Sequence, residues 1–294
     1  MYEISNNTFK VGINPLGAEL EYVKINNINI LWERSELWNA QSPVLFPVIG
    51  CLKDGFYSYQ GQRYELPVHG FVKNMNFEVA DLDKNKITLF KTFDENTLKV
   101  YPFKFKLLVT YELINNSLDM KFEVKNLDNK DITFSVGVHP GFTHDGLAKI
   151  LEGDYKFNYL ANDLKEVFFT PTFVKEIGES TINYNTFEEM SDDLEIKRTI
   201  CLKGINEFNI YSNKHKLKFI NEMPFMAFWH KKQNSNPIFI CVEAWDGIPD
   251  EDLKEDYDLF KKLGNVILKE KQSYTKSFKI IYEWGGKENE SNKM

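Results

Sequence analysis

Cysteine is scarce in this chain: Cys51, Cys201 and Cys241 are three in 294 residues, odd in number and far apart. That excludes a disulfide framework as the basis of the fold and favours a reducing compartment, so a cytoplasmic location is expected. No stretch approaches the ~20 consecutive apolar residues that span a bilayer as a helix. The opening MYEISNNTFK has no basic segment leading into an apolar one, so a standard secretory signal is not expected. Nucleotide-binding signatures are missing too: GxGxxG, GxxxxGK[ST] and the GxSxG elbow are all absent, and no nucleotide cofactor is expected. Metal motifs fare no better. His139 and His144 do not form HExxH, the cysteines have no CxxC spacing, and the acidic run from Asp246 to Asp258 lacks the glycine and closing glutamate of a calcium loop. A resident metal is therefore not expected.

What is present is a core-forming composition. Hydrophobic residues make up 43% of the chain and aromatics 15%, which excludes general disorder. The 43 acidic against 36 basic residues leave a net charge of -7, a poor match to a polyanion, so nucleic acid is not an expected partner. No Pro/Gly/Ser-rich bridge, charge block or repeat divides the chain. A single domain over 1–284 with a flexible polar tail at 285–294 is expected.

Strand patterns dominate. Residues 9–13 alternate, and 16–31 read as two short strands turning at Asn26-Asn27. Residues 56–66 read as a hairpin around Gly61, and 76–93 as strand, turn, strand. The clearest alternation runs over 103–138, where Leu118, Met120, Phe122 and Val124 share one parity and should face a core together. Further strands are expected at 205–211, 216–220, 225–230, 238–243, 266–268 and 276–283. Helical signal is weak, with a turn or two expected near Asp250 to Leu263. Prolines fall mostly at segment edges, as they should between strands. The expectation is an all-β fold, one large antiparallel β-sandwich.

Histidine is also rare, with five in the chain. His69 and His139 are each followed at once by chain-turning residues, Gly70 and Pro140-Gly141, which is where a sheet mouth presents a side chain outward. His230 runs into Lys231 and Lys232 and reads as an exposed strand end, while His144 and His215 read as surface. Glu243, within Phe239-Ile240-Cys241-Val242-Glu243-Ala244-Trp245, should be desolvated by its neighbours. Desolvation raises a carboxyl pKa toward neutrality and suits a general base.

Five segments together carry a resemblance. They are Asn14-Pro15-Leu16-Gly17-Ala18-Glu19-Leu20, Pro43-Val44-Leu45-Phe46-Pro47-Val48-Ile49-Gly50, His69-Gly70-Phe71, Val138-His139-Pro140-Gly141-Phe142 and Cys241-Val242-Glu243-Ala244-Trp245-Asp246-Gly247. In this order and spacing the chain resembles the aldose 1-epimerase (galactose mutarotase) superfamily, and within it the LacX-like branch, over residues 4–283. The resemblance implies a mutarotase-type β-sandwich that interconverts the α and β anomers of free or phosphorylated aldohexoses without a cofactor. It places the catalytic base on Glu243, the acid at the ring oxygen on His139, and a helping role on His69. It places a substrate-holding aspartate on Asp192 or Asp193. Lys53, Phe71 and Trp245 are further candidates for contact with the sugar. A sugar-binding protein of the same fold without turnover is the alternative. The partner expected is a small-molecule sugar, the assembly a monomer or homodimer. One departure stands out: relatives often carry Arg where this chain has Cys51, and a thiol lacks the five-donor fork of a guanidinium. Ala244 stands where close relatives often have Pro.

Overall fold

The computed structural model describes residues 1–233 and 236–285. Of the expected tail, all but Gly285 lies outside the described residues. Most of the expected strands form, and they form where side-chain parity demanded. Phe9–Asn14, Glu19–Ile25 and Ile28–Asn29 pair in sequence, with Asn26 and Asn27 both at positive φ in the turn. Phe56–Tyr59 and Gln62–Glu65 make the hairpin, its turn at Gln60 and Gly61. Leu118, Met120, Phe122 and Val124 are all fully buried on the Ser117–Asn126 strand, between Phe105–Ile114 and Ser273–Trp284.

The expected two-sheet sandwich is not what these strands build. They form an open antiparallel sheet of fourteen strands, with a separate four-stranded sheet and two two-stranded ones beside it. The main path runs Val44–Leu45, Val136–Val138, Asn236–Asp246, Phe225–Gln233, Ile200–Tyr211, His215–Asn221, Ser273–Trp284, Ser117–Asn126, Phe105–Ile114, Lys86–Thr92, Glu78–Asp83. Its two end strands do not pair with each other, so the sheet does not close. The physical reason lies in Ile200–Tyr211. Its first part pairs with Phe225–Gln233 and its second with His215–Asn221, so one strand hands the sheet from one neighbour to the next. The handover falls at Gly204, where φ is +94° and a β carbon would sit 2.3 Å from the Asn162 carbonyl. Only glycine takes this bend without strain, and the bend lets one sheet curve round its core instead of splitting into two facing layers.

Among the described residues three helices depart from the strand-only expectation: Glu95–Val100, His144–Leu151 and Phe187–Lys197. The turn expected near Asp250 to Leu263 reduces to a 3-10 turn at Leu259–Lys261. The third helix carried a readable start signal, since Thr186 and Glu189 cap each other reciprocally, the S/T-x-x-E pattern of a helix N-terminus. The long strand Lys156–Thr170 was not anticipated either, its polar residues breaking the alternation. No helix among the described residues is long and apolar enough to cross a membrane.

Phe46 ties the core to the region that follows. Its ring is fully buried against Phe105 at 4.9 Å, Phe134 at 5.7 Å and Tyr101 at 5.8 Å between centroids. Its backbone meanwhile bonds the turn that carries His69, accepting from Phe71 N and donating to His69 O. Phe46→Ala should cost about 3–5 kcal/mol, the range for deleting a buried ring, read from urea denaturation.

Candidate active site

Three of the expected residues converge from a strand (Glu243), a strand end (His139) and a turn (His69). Alternation along Asn236–Asp246 sends Ile240, Val242 and Ala244 into the main core and leaves Cys241, Glu243 and Trp245 on the opposite face. Val136–Val138 pairs with that strand, Val138 opposite Ala244, so the next residue, His139, emerges beside Glu243. The His139 amide is held by the Pro43 carbonyl at 3.1 Å. His69 sits in a left-handed conformation, φ +64°, in the turn bonded to Phe46 and Gly50. Gly70 follows at φ +71°, and a β carbon there would meet the Phe46 carbonyl at 2.1 Å.

The geometry is tight. His139 Nε2 lies 3.1 Å from Glu243 Oε2, and the His69 and His139 rings are 5.7 Å apart, edge to face. Trp245 Nε1 donates to the same Glu243 oxygen at 2.9 Å. Glu243 Oε1 and His139 Nδ1 are buried with no hydrogen-bond partner on another residue among the described residues. His69 Nδ1 accepts a hydrogen bond from the Gly50 amide at 3.1 Å, so the neutral ring carries its proton on Nε2 and acts as a donor there. All three residues line a cleft of about 560 Å³, the size of a small-ligand site.

Burial sets the protonation tendencies. It pushes the Glu243 carboxyl well above its ordinary range, with the Trp245 N–H pulling the other way. Burial, and then repulsion from His69, holds His139 well below the usual imidazole value. His69 is lowered to about 3 by burial and by the Lys73 charge. Each shift disfavours the charged form, so the site holds its protons as neutral groups where it can.

The other expected contacts divide. Trp245 lines the cleft. Phe71 does not line it; its ring packs on Phe46, Tyr101 and Phe105 behind the site. Lys53 falls in the 3-10 turn Lys53–Gly55 rather than a strand, and its ammonium turns to Asp252 at 3.4 Å and the face of Phe173. Asp192 and Asp193 ride the Phe187–Lys197 helix, of which no residue lines the cleft. Asp192 is 85% exposed, and Asp193 is held by Tyr184 and Lys197. His230 is not an exposed strand end. It is buried, with Glu195 3.1 Å from Nε2 and Ser191 3.3 Å from Nδ1, and it fastens that helix to Phe225–Gln233. Cys51 does line the cleft, half-buried, its thiol pushed up by burial and by Asp250.

Sequence reasoning passed over Glu19, Trp38, Lys73, Trp229 and Lys231, all of which line the cleft. Glu19 lay within a quoted segment. Lys231 and Trp229 were readable from parity, since they share the face of Ala227, which opposes Glu243. Trp38 stands in a loop with no periodicity to mark it. His139, Glu243 and Cys241 also bring three donor atoms within 4.8 Å of one another, a set that could hold a soft cation once the thiol ionised. Burial opposes that ionisation.

The sequence profile described as Aldose 1-epimerase matches residues 1–280. The chain belongs to this family. It is 26% identical over 273 residues to the plasmid-encoded Protein LacX of Lactococcus lactis subsp. lactis, an alignment spanning 84% of this chain and 87% of that protein. Among solved structures it is similar to a galactose mutarotase related enzyme from Lactobacillus acidophilus, at TM-score 0.85 and 30% identity over 96% of this chain and 97% of that one. A galactose mutarotase-like protein from Lactobacillus casei gives TM-score 0.84 at 26% identity, covering 96% and 100%.

Because the His69 pKa in the folded protein lies below its unfolded value, acid should favour unfolding. The unfolded ring takes a proton near its ordinary value of 6.5, while the folded ring resists down to about 3. This contribution is complete above pH 6.5 and is lost as pH falls through that window. His69→Asn, a residue that tolerates the left-handed backbone, should lose less stability than the wild type between pH 7 and pH 4, measured by urea titration at each pH.

Proposed function

We propose that the cleft binds an aldohexose and interconverts its α and β anomers by opening and reclosing the ring. The observation that carries this is the 3.1 Å contact between His139 Nε2 and Glu243 Oε2 in a buried setting. The reaction needs a base at the C1 hydroxyl and an acid at the ring oxygen. Those two oxygens share one carbon, so a base and an acid in mutual hydrogen-bond contact suit their spacing.

One proton serves the pair. In the reactive form Glu243 is a carboxylate and His139 an imidazolium. Glu243 accepts the C1 hydroxyl proton while His139 gives its proton to the ring oxygen and the C1–O5 bond breaks. Both residues are then neutral and the sugar is an open-chain aldehyde. Rotation about C1–C2 presents the other carbonyl face, and the same two transfers run backward to close the ring. Burial disfavours the charged pair, so the neutral arrangement is the resting one and the 3.1 Å contact lets the proton cross to His139 to form the reactive pair. His69, donating from Nε2, stabilises charge on the ring oxygen as it develops. The oxygen of Glu243 without a hydrogen-bond partner supports the reading that it takes the sugar proton.

A second reading keeps the chemistry and changes the sugar. Lys73 and Lys231 line the same cleft, while the position where relatives often carry Arg holds Cys51. Two ammonium groups in the lining favour an aldohexose that bears an anionic group, such as a 6-phosphate. Membership of the LacX-like branch is part of this proposal and is supported by the 26% identity to Protein LacX.

Polarimetry on freshly dissolved α-glucose and α-galactose tests the reaction, and a parallel NMR assay of hexose 6-phosphates tests the second reading. Glu243→Gln should lower the catalysed rate by about 100- to 10,000-fold, the usual worth of a positioned acid or base. A Gln variant with the full rate would remove the base assignment. A wild-type protein that binds sugar without accelerating mutarotation would leave a sugar-binding protein in its place.

A further inference from the structure

A histidine that works as an acid is ordinarily oriented by a hydrogen bond to its far nitrogen, which holds the ring plane and the tautomer. Among the described residues no other residue supplies one to His139, whose Nδ1 is buried. What the ring has instead is packing. The Trp38 indole lies 5.2 Å from it at 36°, and the Trp229 indole lies 5.9 Å away, nearly edge-on at 76°. Trp38 is in turn stacked on Phe239 at 5.2 Å and meets Trp229 at 5.5 Å.

The position of that indole is itself set with care. Trp38 sits in the irregular loop between Trp32 and Val44, and its carbonyl accepts from Trp32 Nε1 at 3.0 Å and from the Ser35 amide at 3.1 Å. Arg34 straps the loop to the neighbouring Glu19–Ile25 strand, reaching Glu19 at 2.5 Å and Glu21 at 2.6 Å. Beneath the indole is Gly141, where a β carbon would come within 2.6 Å of the ring. Gly141 has no positive φ to explain it, so the space it leaves is for Trp38.

We propose that Trp38 is a positioning residue: its indole, seated over Gly141 and strapped by Arg34, sets the plane of the His139 ring in place of the missing hydrogen bond at Nδ1. Its effect on rate rests on the acid/base reading of the cleft, but its effect on the ring does not.

The test uses Trp38→Ala, Trp38→Phe and Gly141→Ala, the last of which keeps the indole and pushes it off its seat. Two measurements are made on each. Mutarotation is followed across pH, and the His139 imidazole nitrogen resonances are followed by NMR, assigned by comparison with His139→Asn. For Trp38→Ala kcat should fall about 100-fold, as expected for a misplaced acid, with a smaller change in KM and a shifted acid limb. Trp38→Phe should recover most of this, and Gly141→Ala should fall between. The His139 resonances should shift and titrate differently in Trp38→Ala and Gly141→Ala. If these variants fold, lose only thermal stability and leave the His139 resonances and pH profile in place, Trp38 is merely core and the proposal is overturned. If the wild type has no turnover but its His139 resonances still respond to Trp38, the positioning role stands and the catalytic reading alone fails. Should Trp38→Ala not fold, Trp38→Phe and Gly141→Ala carry the same comparison.

Discussion

A largely buried carboxyl and imidazole in contact at 3.1 Å are costly to place. Neither group would choose to be charged alone in that setting. A proton shared by the two can sit on the carboxyl, leaving both groups neutral, or on the imidazole, leaving an ion pair. Everything nearby bears on this contact. Trp245 anchors one Glu243 oxygen and leaves the other free, and the Gly50 amide commits His69 to donating from Nε2.

Holding such a pair requires a stiff frame. A sheet supplies it because the two faces of Asn236–Asp246 do different jobs: Ile240, Val242 and Ala244 lock the strand into the main core, while Cys241, Glu243 and Trp245 look the other way. A second, smaller apolar cluster that includes Leu45, Ile49, Ala227 and Ile248 backs Trp245. The pair thus stands at the cleft wall between two packed regions, which limits its movement.

The irregular loop between Trp32 and Val44 adds what the sheet cannot. Glu19 receives the Gln41 and Ser42 amides at 2.8 and 2.9 Å and the Arg34 guanidinium, so the loop before Val44 is fastened at both ends. That fastening brings aromatic residues remote in sequence onto the histidine. It also explains why a segment without regular secondary structure keeps one conformation: its polar groups are satisfied by side chains rather than by a ladder.

The strands with clean alternation, and their buried faces, were legible in the residues themselves, because a period of two needs only neighbours in sequence. Leu118 to Val124 is the plain case. His69, His139 and Glu243 stood out by scarcity, flanking turns and the resemblance of five short segments. The curvature of one open sheet was not legible, since it depends on Ile200–Tyr211 changing partners at Gly204, and a partner change leaves no local pattern. Lys53 and Phe71 looked as good as Trp245 on paper. A 3-10 turn sent Lys53 away from the cleft and core packing took Phe71 behind it. Asp192 and Asp193 went with a helix whose capping signal had been read past. The chain's own chemistry determined which groups could work as acid, base and donor. Only the tertiary structure decided which of them meet, because meeting requires residues 70 to 174 positions apart in the chain (His139 from His69, Glu243 from His69) to be brought to one place by packing that no single segment encodes.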